Sequence, residues 1–182
     1  GVFRPSWVGR EETEARAQIK MALAAGNDIT HLDSHMGTLQ YDLRYYAVYR
    51  KLALEFDLPL RMGSQELLAT MGAGNIRAEL AAGGIVFPDY LIHGGRKKDE
   101  GVVDYWKRML ADLKPGVTEL YIHAGLETEE LQQITGSWKD RAAEHRLFTT
   151  DPEVRRLLDS QRVKRIGYRI LRDFQRRERA AK

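Results

Sequence analysis

Three of the five histidines follow short apolar runs that are typical of β-strands. In parallel α/β folds the ligand site lies at the carboxyl ends of the strands, and histidine is both the commonest metal ligand and a proton carrier near neutral pH. A lone histidine is more often a hydrogen-bonded core residue, but three in the same relative place predict one rim with one site. The three are His35, His93 and His123, which follow residues 29–33, 90–92 and 117–122.

The densest polar cluster is His31-Leu32-Asp33-Ser34-His35. On a helix the two histidines would share a face and could chelate one metal ion. On a strand they lie about 13 Å apart at about 3.3 Å per residue, too far for one ion to bind both. The Gly-Asn-Asp sequence just before favours a strand. We therefore predict that His35 is a metal ligand at the rim, that His31 lies deeper as a supporting or core residue, and that Asp33 orients His35.

Arg61 follows another short apolar run, at residues 59–62. It could stabilise a developing oxyanion, although a surface ion pair is the more ordinary role for such an arginine. Other chemistries are excluded by what the sequence lacks. It has no cysteine nucleophile or thiolate zinc site, no phosphate-binding glycine loop and no Gly-x-Ser-x-Gly motif.

The composition is that of a globular protein, with 182 residues, 43% of them apolar and 30% charged. This length predicts a single domain with its own core. The longest apolar runs are shorter than a membrane span, and residues 1–10 carry no signal-peptide pattern. We therefore predict a cytoplasmic protein. Because the first residue is Gly rather than Met, the natural start is expected to lie upstream.

Charge is unevenly distributed along the chain. Residues 155–182 carry a net charge of +8, and the remainder carries −5. A basic segment can bind nucleic acid or an anionic surface, but it is more often a solvated helical face. We predict a basic C-terminal helix at about 169–182 that is solvated, and we do not expect nucleic acid as a partner. The sequence leaves a homodimer open.

Helical and strand patterns alternate, which predicts an α/β fold with parallel strands. The second helix has an apolar stripe at Leu39, Leu43, Tyr46, Ala47 and Leu54, and Trp106 lies on the stripe of a later helix. The glycines between residues 72 and 84 predict loops. The strand candidates are fewer than the eight of a closed barrel. Helices are predicted at 11–25 before Gly26, 39–56, 64–71, 99–113, 127–134, 138–147 and from 150 onward, and strands at 29–33, 59–62, 90–92, 117–122 and 163–168.

Several segments resemble the YdjC-like carbohydrate deacetylases. Residues 30–35 read THLDSH and resemble the T-H-L-D-S-H signature of this family. Residues 118–125 (TELYIHAG) are similar to a later block, in which a strand ends in His before Pro or a small residue. The resemblance covers nearly the whole chain, and its first motif is the most specific. The supporting matches are Trp138, Arg141, Glu144, Leu147 and Thr149, followed by Val163, Ile166, Gly167, Tyr168 and Arg169.

The resemblance implies a deformed (β/α) TIM-barrel-like fold related to the polysaccharide deacetylases. It also implies a metal-dependent hydrolase that removes the acetyl group from N-acetylated amino sugars or short oligosaccharides. His35 would bind a divalent metal ion, magnesium or zinc. His123 would be the catalytic proton donor to the leaving amine, and Arg61 would occupy a catalytic arginine position. His31 and Asp33 would support this site.

The chain departs from the family pattern at three places. The family's first strand ends in an Asp-Asp pair, and a later Gly-x-His block supplies another metal ligand, but neither is present here. Gly37 stands where relatives often carry a further His. We therefore expect the chain to correspond to the C-terminal portion of one deacetylase domain, with an incomplete barrel.

Two other functions stay open at this point. One is a non-catalytic module that binds sugar or nucleic acid and keeps a degenerate metal site. The other is a metal phosphoesterase on the same rim, which is less favoured because no cluster of metal-binding carboxylates is visible.

Overall fold

The computed structural model of the chain describes residues 5–40, 42–92 and 94–181. The chain divides into two compact units. The first unit consists of Gly1–Pro88 and Ile166–Lys182, and the second consists of Asp89–Arg165. The first unit is therefore built from two separate stretches of the chain.

Two short extended segments lie side by side in the first unit, as the sequence predicts. We call residues 29–33 the Leu32 segment and residues 59–62 the Leu60 segment. They form a parallel bridge between Leu32 and Leu60. The Leu32 amide donates to the carbonyl before Leu60, and the Arg61 amide donates back to the Leu32 carbonyl at 3.0 Å. Both leucines are buried in the core, which fixes the register of the pairing.

A helix leads into the Leu32 segment. Helix α1 spans Pro5–Ala24, and Gly26 follows it with a φ of 81°. The Gly26 amide donates to the Leu23 carbonyl and the Asn27 amide donates to the Ala22 carbonyl, the pattern of a glycine-terminated helix. The predicted helix end at Gly26 is therefore confirmed.

Helix α2 spans Leu43–Phe56 between the two segments, but it turns a different face inward from the one predicted. Tyr46 is buried as expected, whereas Leu43 is 47% exposed and Leu54 is 41% exposed. Tyr49 and Leu52 are buried instead, at i+3 and i+6 from Tyr46. The spacing of apolar residues predicts a different face because Tyr49, a polar residue that forms hydrogen bonds, fills part of the buried one.

The glycine-rich stretch contains a helix that the sequence analysis missed. Helix α3 spans Gln65–Thr70, and the Ser64 hydroxyl caps it by accepting from the Leu67 amide. Helix α4 then spans Ile76–Ala82, where only loops were predicted. Ile76 and Leu80, one turn apart, are buried in the core, so packing compensates for the flanking glycines.

In the second unit two parallel strands form a small sheet. Strand β1 spans Tyr90–Ile92 and strand β2 spans Thr118–Leu120, with Leu91 opposite Glu119. Both lie where strands were predicted. Trp106 is 2% exposed, so its predicted core position is confirmed. The helices of this unit are α5 (Val102–Ala111), α6 (Glu129–Ile134), α7 (Trp138–Thr149) and α8 (Pro152–Ser160).

The basic C-terminal segment returns to the first unit as helix α9, Tyr168–Ala180. The predicted strand at 163–168 is wrong, because residues 163–167 are irregular and the helix begins at Tyr168. Val163 and Ile166 resemble strand residues locally. In the structure residue 166 already belongs to the first unit, with α9.

One face of α9 docks through polar groups rather than being solvated. Arg172 is 7% exposed and binds Asp28, and Gln175 is fully buried. The Gln175 side chain accepts from the Val86 amide and donates to the Asp57 carboxylate, both at 2.8 Å. The basic character of this helix therefore serves, in part, to attach it to acidic side chains of its own unit.

The architecture is a helix-rich α/β fold with a small parallel sheet, which confirms the predicted fold class at that level. Among the described residues, no helix combines the length and the apolar character needed to cross a lipid bilayer.

Replacing Gln175 with Ala is expected to lower the free energy of unfolding by about 1–3 kcal/mol, because the partly buried Val86 amide loses its acceptor. Urea denaturation monitored by circular dichroism would measure the change. The control is Glu178→Ala, an exposed position on the same helix, where we expect a change within about 0.5 kcal/mol. Equal effects of the two substitutions would show that Gln175 does not anchor the helix.

Candidate active site

In the first unit, Asp33 and Arg61 meet at the carboxyl ends of the two extended segments. Each follows the bridged leucine of its own segment, so the parallel pairing puts the two side chains at one edge. The Arg61 guanidinium donates to the Asp33 carboxylate at 2.5 Å. Their side chains are 18% and 33% exposed. The pair is therefore partly shielded from water, and each charge is partly neutralised by the other.

Tyr49 of α2 ties this edge together from inside the core. Its hydroxyl donates to the Leu32 carbonyl at 2.5 Å and lies 3.3 Å from the Arg61 carbonyl. The Gln40 side chain donates to the same Arg61 carbonyl at 3.1 Å. Burial raises the pKa of the Tyr49 hydroxyl well above its usual value. The group therefore keeps its proton and acts as a donor to both segments.

His35 lies just beyond Asp33 on an exposed turn. The residues His35–Gly37 form a short 3-10 turn in which Met36 has a φ of 57°. The Ser34 hydroxyl is buried and accepts from the Leu39 amide at 2.9 Å, which closes the turn. The predicted metal ligand is thus presented to solvent on a loop whose backbone is held at both ends.

His31 lies deeper than His35. It is half-buried and packs against the first residue of α9. Its ring stacks on the Tyr168 ring, with centroids 3.8 Å apart and planes 6° apart. One ring nitrogen lies 3.0 Å from the Thr30 hydroxyl. These contacts give His31 a packing role, in keeping with the alternative of a supporting or core residue.

In the second unit, His123 follows strand β2 and its side chain is exposed. Its backbone amide donates to the buried carboxylate of Glu144 on α7 at 2.8 Å. The ring of Tyr121 meets the His123 ring edge-on, with centroids 4.7 Å apart. An exposed imidazole on a fixed backbone can donate or accept a proton without moving the main chain.

The loop after β1 is held by two side chains of α5. The Tyr105 hydroxyl donates to the Gly94 carbonyl at 2.7 Å, and Arg108 donates to the Gly95 carbonyl at 3.1 Å. Arg108 also binds both oxygens of Glu100, each at 2.7 Å. This pair and the Lys97 amide lower the pKa of Glu100 to about 2. The loop is therefore built around an ionised carboxylate.

The structure brings some predicted site residues together and leaves others in separate units. Asp33, His35 and Arg61 lie in the first unit and His123 lies in the second. His93 falls outside the described residues. In the part of the chain that the structure describes, no three histidine or acidic side chains are grouped so that they could hold a metal ion.

Two residues at these edges were missed as functional candidates. Tyr49 carried no signal beyond its place on α2, because its partners are backbone carbonyls far along the chain. Glu144 was noted only as a supporting match to the family, with no role. Its position on a largely polar helix hid the fact that it is buried and accepts two N–H groups.

Comparison with known proteins gives one family and one solved structure of interest. The sequence profile described as YdjC-like protein matches residues 10–160. Among curated proteins, none matches the chain. The structure is similar to a crystal structure from Enterococcus faecalis of a protein named provisionally as a cellobiose-phosphate cleavage protein, with a TM-score of 0.67 and 20% identity. The match covers 88% of this chain and 59% of that one, so the chain spans less than two thirds of its length.

Tyr49→Phe is expected to lower the free energy of unfolding by about 0.5–1.5 kcal/mol, because the buried Leu32 carbonyl loses one of its two donors and keeps the Arg61 amide. The matched control is Tyr46→Phe on the same buried face, whose hydroxyl donates only to the Met62 sulfur, a weak acceptor. Urea denaturation of both variants measures the difference. If Tyr46→Phe lowered the free energy of unfolding as much as Tyr49→Phe, the hydrogen bond from Tyr49 to the Leu32 carbonyl would not be what stabilises this edge.

The lowered pKa of Glu100 predicts an acid-dependent loss of stability. A carboxylate whose folded pKa lies below its unfolded value stabilises the fold above the unfolded value, and this contribution is lost as pH falls through the folded pKa. For Glu100 the range runs from pH 4.5 down to about 2. We expect the stability of Glu100→Gln to change less over this range than that of the wild-type protein.

Urea midpoints measured at several pH values test this expectation, with Glu130→Gln on the exposed face of α6 as the control. Parallel decreases of the midpoint for wild type and Glu100→Gln would refute it.

Proposed function

Because the chain belongs to the YdjC-like protein family, we propose that it is a carbohydrate N-deacetylase. Its substrate would be an N-acetylated amino sugar or a short oligosaccharide of such sugars. The provisional name of the similar Enterococcus faecalis protein also points to a sugar substrate, a phosphorylated disaccharide. In keeping with the family resemblance, we further propose that the fold is of the deformed (β/α) TIM-barrel-like type and that the protein acts in the cytoplasm.

The observation that carries the proposal is the setting of His123. Its imidazole is exposed at the carboxyl end of β2, the place where ligands bind in parallel α/β folds. The backbone beneath it is fixed by Glu144. Histidine is a residue type that suits the transfer of a proton to a departing amine.

The reaction is the hydrolysis of an amide bond. Water adds to the acetyl carbonyl, the carbon–nitrogen bond of the tetrahedral intermediate breaks, and acetate and the free amine are the products. In this proposal His123 gives a proton to the nitrogen as it leaves, and the proton that the attacking water releases restores the protonated imidazole. Arg61 lies in the first unit, where Asp33 holds its guanidinium, and its predicted role in stabilising an oxyanion is a separate proposal.

The divalent ion stays a prediction. The described residues do not by themselves fit such an ion, because they contain no group of three suitable side chains and the Asp33 carboxylate is engaged by Arg61. The steps above are therefore written without a metal. His35 remains the candidate ligand, since it is exposed on a fixed turn.

A second candidate function is a non-catalytic module that binds sugar. The same lack of a three-ligand group among the described residues favours it. The two functions differ in one product, because a binding module retains an acetylated sugar without releasing acetate.

We expect the 182-residue chain to release acetate from short N-acetylglucosamine oligomers, and His123→Gln to lower the rate about a hundredfold or more through loss of the proton donor. Acetate is measured enzymatically, with added magnesium, zinc or a chelator. The control is His145→Gln on α7, a half-buried histidine outside the proposed site, which should retain the rate.

Acetate release by His123→Gln at the wild-type rate would remove His123 from the mechanism. Oligomer binding without acetate release under any metal condition would establish the binding module instead.

Metal binding is tested separately by equilibrium dialysis with zinc or magnesium. We expect any zinc that the chain binds to bind with at least tenfold lower affinity in His35→Ala, because a ligand is removed. Equal affinity of the wild-type protein and the variant would exclude His35 as a ligand.

A further inference from the structure

We propose that Glu144 is a positioning residue for His123. Its buried carboxylate holds the backbone of the segment after β2 and thereby sets the direction in which the imidazole points. The catalytic part of this inference rests on the proposed deacetylase function, whereas the positioning itself can be measured without activity.

Glu144 is an acidic side chain in a place where an apolar one would be expected. It is 8% exposed, on the face of α7 that packs inside the second unit. One carboxylate oxygen accepts from the Trp106 indole at 2.8 Å, and the other accepts from the His123 amide at 2.8 Å. Burying a carboxylate is costly unless its oxygens are hydrogen-bonded, and here both are. The cost is offset by two bonds, one of which goes to the candidate catalytic residue.

The same helix grips the segment a second time, two residues later. The Gly125 amide donates to the Arg141 carbonyl of α7 at 3.1 Å. Gly125 also passes so close to Leu131 that an added Cβ would lie 3.2 Å from its side chain. The chain from His123 to Gly125 is therefore fixed at two hydrogen bonds and one tight contact.

The side preceding His123 is fixed as well. The Tyr121 amide donates to the Ile92 carbonyl at 3.0 Å, which continues the pairing of β2 with β1. The Tyr121 ring meets the imidazole edge-on. With the backbone held before, at and after His123, the direction of its Cα–Cβ bond is fixed, and the Tyr121 ring contacts one edge of the imidazole.

A carboxylate suits this position better than an amide. Two N–H donors converge on it, and a carboxylate has only acceptors, so it satisfies both. A glutamine of the same size has one acceptor oxygen, and its NH₂ group would face an N–H. Glu144→Gln therefore breaks one of the two bonds without changing the volume, which makes it the informative substitution.

The first arm of the test is NMR of the isotope-labelled chain. We expect Glu144→Gln to shift the His123 backbone amide resonance and to increase its rate of hydrogen exchange at least tenfold, because the charge-assisted bond is lost. Trp106→Phe removes the other donor and should leave the His123 amide in place while lowering stability. Glu130→Gln, an exposed glutamate on α6, controls for the change of charge.

The second arm is kinetic. With N-acetylglucosamine oligomers, Glu144→Gln should lower kcat by about tenfold to a hundredfold with KM within about twofold, because a misdirected proton donor affects the reaction step more than substrate binding. Trp106→Phe should keep kcat within about twofold of wild type. A purely structural role for Glu144 would instead lower kcat equally in both variants when they are equally destabilised, and this result would overturn the proposal.

The two arms separate the proposal from the proposed function. An altered His123 amide without acetate release from any form of the protein would retain the positioning role and reject the deacetylase. Because the glutamine oxygen can face either donor, the positioning role would be overturned by a His123 amide that is unaltered both in Glu144→Gln and in the double variant Trp106→Phe, Glu144→Met. If Glu144→Gln does not fold, the double variant Trp106→Phe, Glu144→Met replaces the buried pair with apolar groups and is measured by the same two arms.

Discussion

Very short parallel strands leave backbone groups at their ends that the neighbouring strand does not satisfy, and the rest of the structure depends on how these groups are paired. Each described strand has three residues, so the ladder itself contributes few hydrogen bonds. Side chains supply the others. Tyr49 donates to the Leu32 carbonyl, Gln175 accepts from the Val86 amide, and Glu144 accepts from the His123 amide. In each case a helix contributes one buried polar side chain to a backbone group in an extended or irregular segment, and at Leu32 it adds a second donor beside the Arg61 amide.

This arrangement places the rigid points of the molecule where chemistry would be expected. We call a side chain that holds a backbone group by a hydrogen bond a brace. Such a bond is formed within three residues of each candidate, namely Asp33, Arg61 and His123. Their side chains project beyond the braces and are partly or fully exposed. A polar brace has a cost if it is incomplete, because an unsatisfied group in the interior destabilises the fold. The described part of the chain contains no buried side-chain nitrogen or oxygen without a partner, so the braces are complete there.

Local signals in the sequence were sufficient for many of the elements. Strand β1 and the cap of α3 at Ser64 were predicted because an apolar run and a capping hydroxyl act within a few residues. Helix α4 was missed because its glycines dominate the local pattern, while the burial of Ile76 and Leu80 depends on a distant core. At 163–168 the local pattern misleads in the other direction. Its β-branched residues predict a strand, but residues 163–167 are irregular and pair with no strand in the described structure.

The site was harder to predict than the elements that carry it. The candidates His35, Arg61 and His123 could be chosen because their residue types suit catalysis and they follow apolar runs. The side chains that hold the backbone could not be predicted, because their partners are distant along the chain. Tyr49 is 17 residues from Leu32, and Trp106 is 38 residues from Glu144. The Asp33–Arg61 pair was likewise invisible until the two segments were paired. Pairs of this kind exist only in the folded chain.

The discontinuity of the first unit has a consequence for the newly synthesised protein. The Val86 amide and the Asp57 carboxylate lack their hydrogen-bond partner until Gln175 is synthesised, 89 residues after Val86. Until α9 has been made, the groups that it covers remain solvated, and the first unit cannot reach its final form. The second unit, whose residues are contiguous, can fold as soon as it emerges. The second unit can therefore fold before the first unit is complete, although most of the first unit precedes it in the sequence.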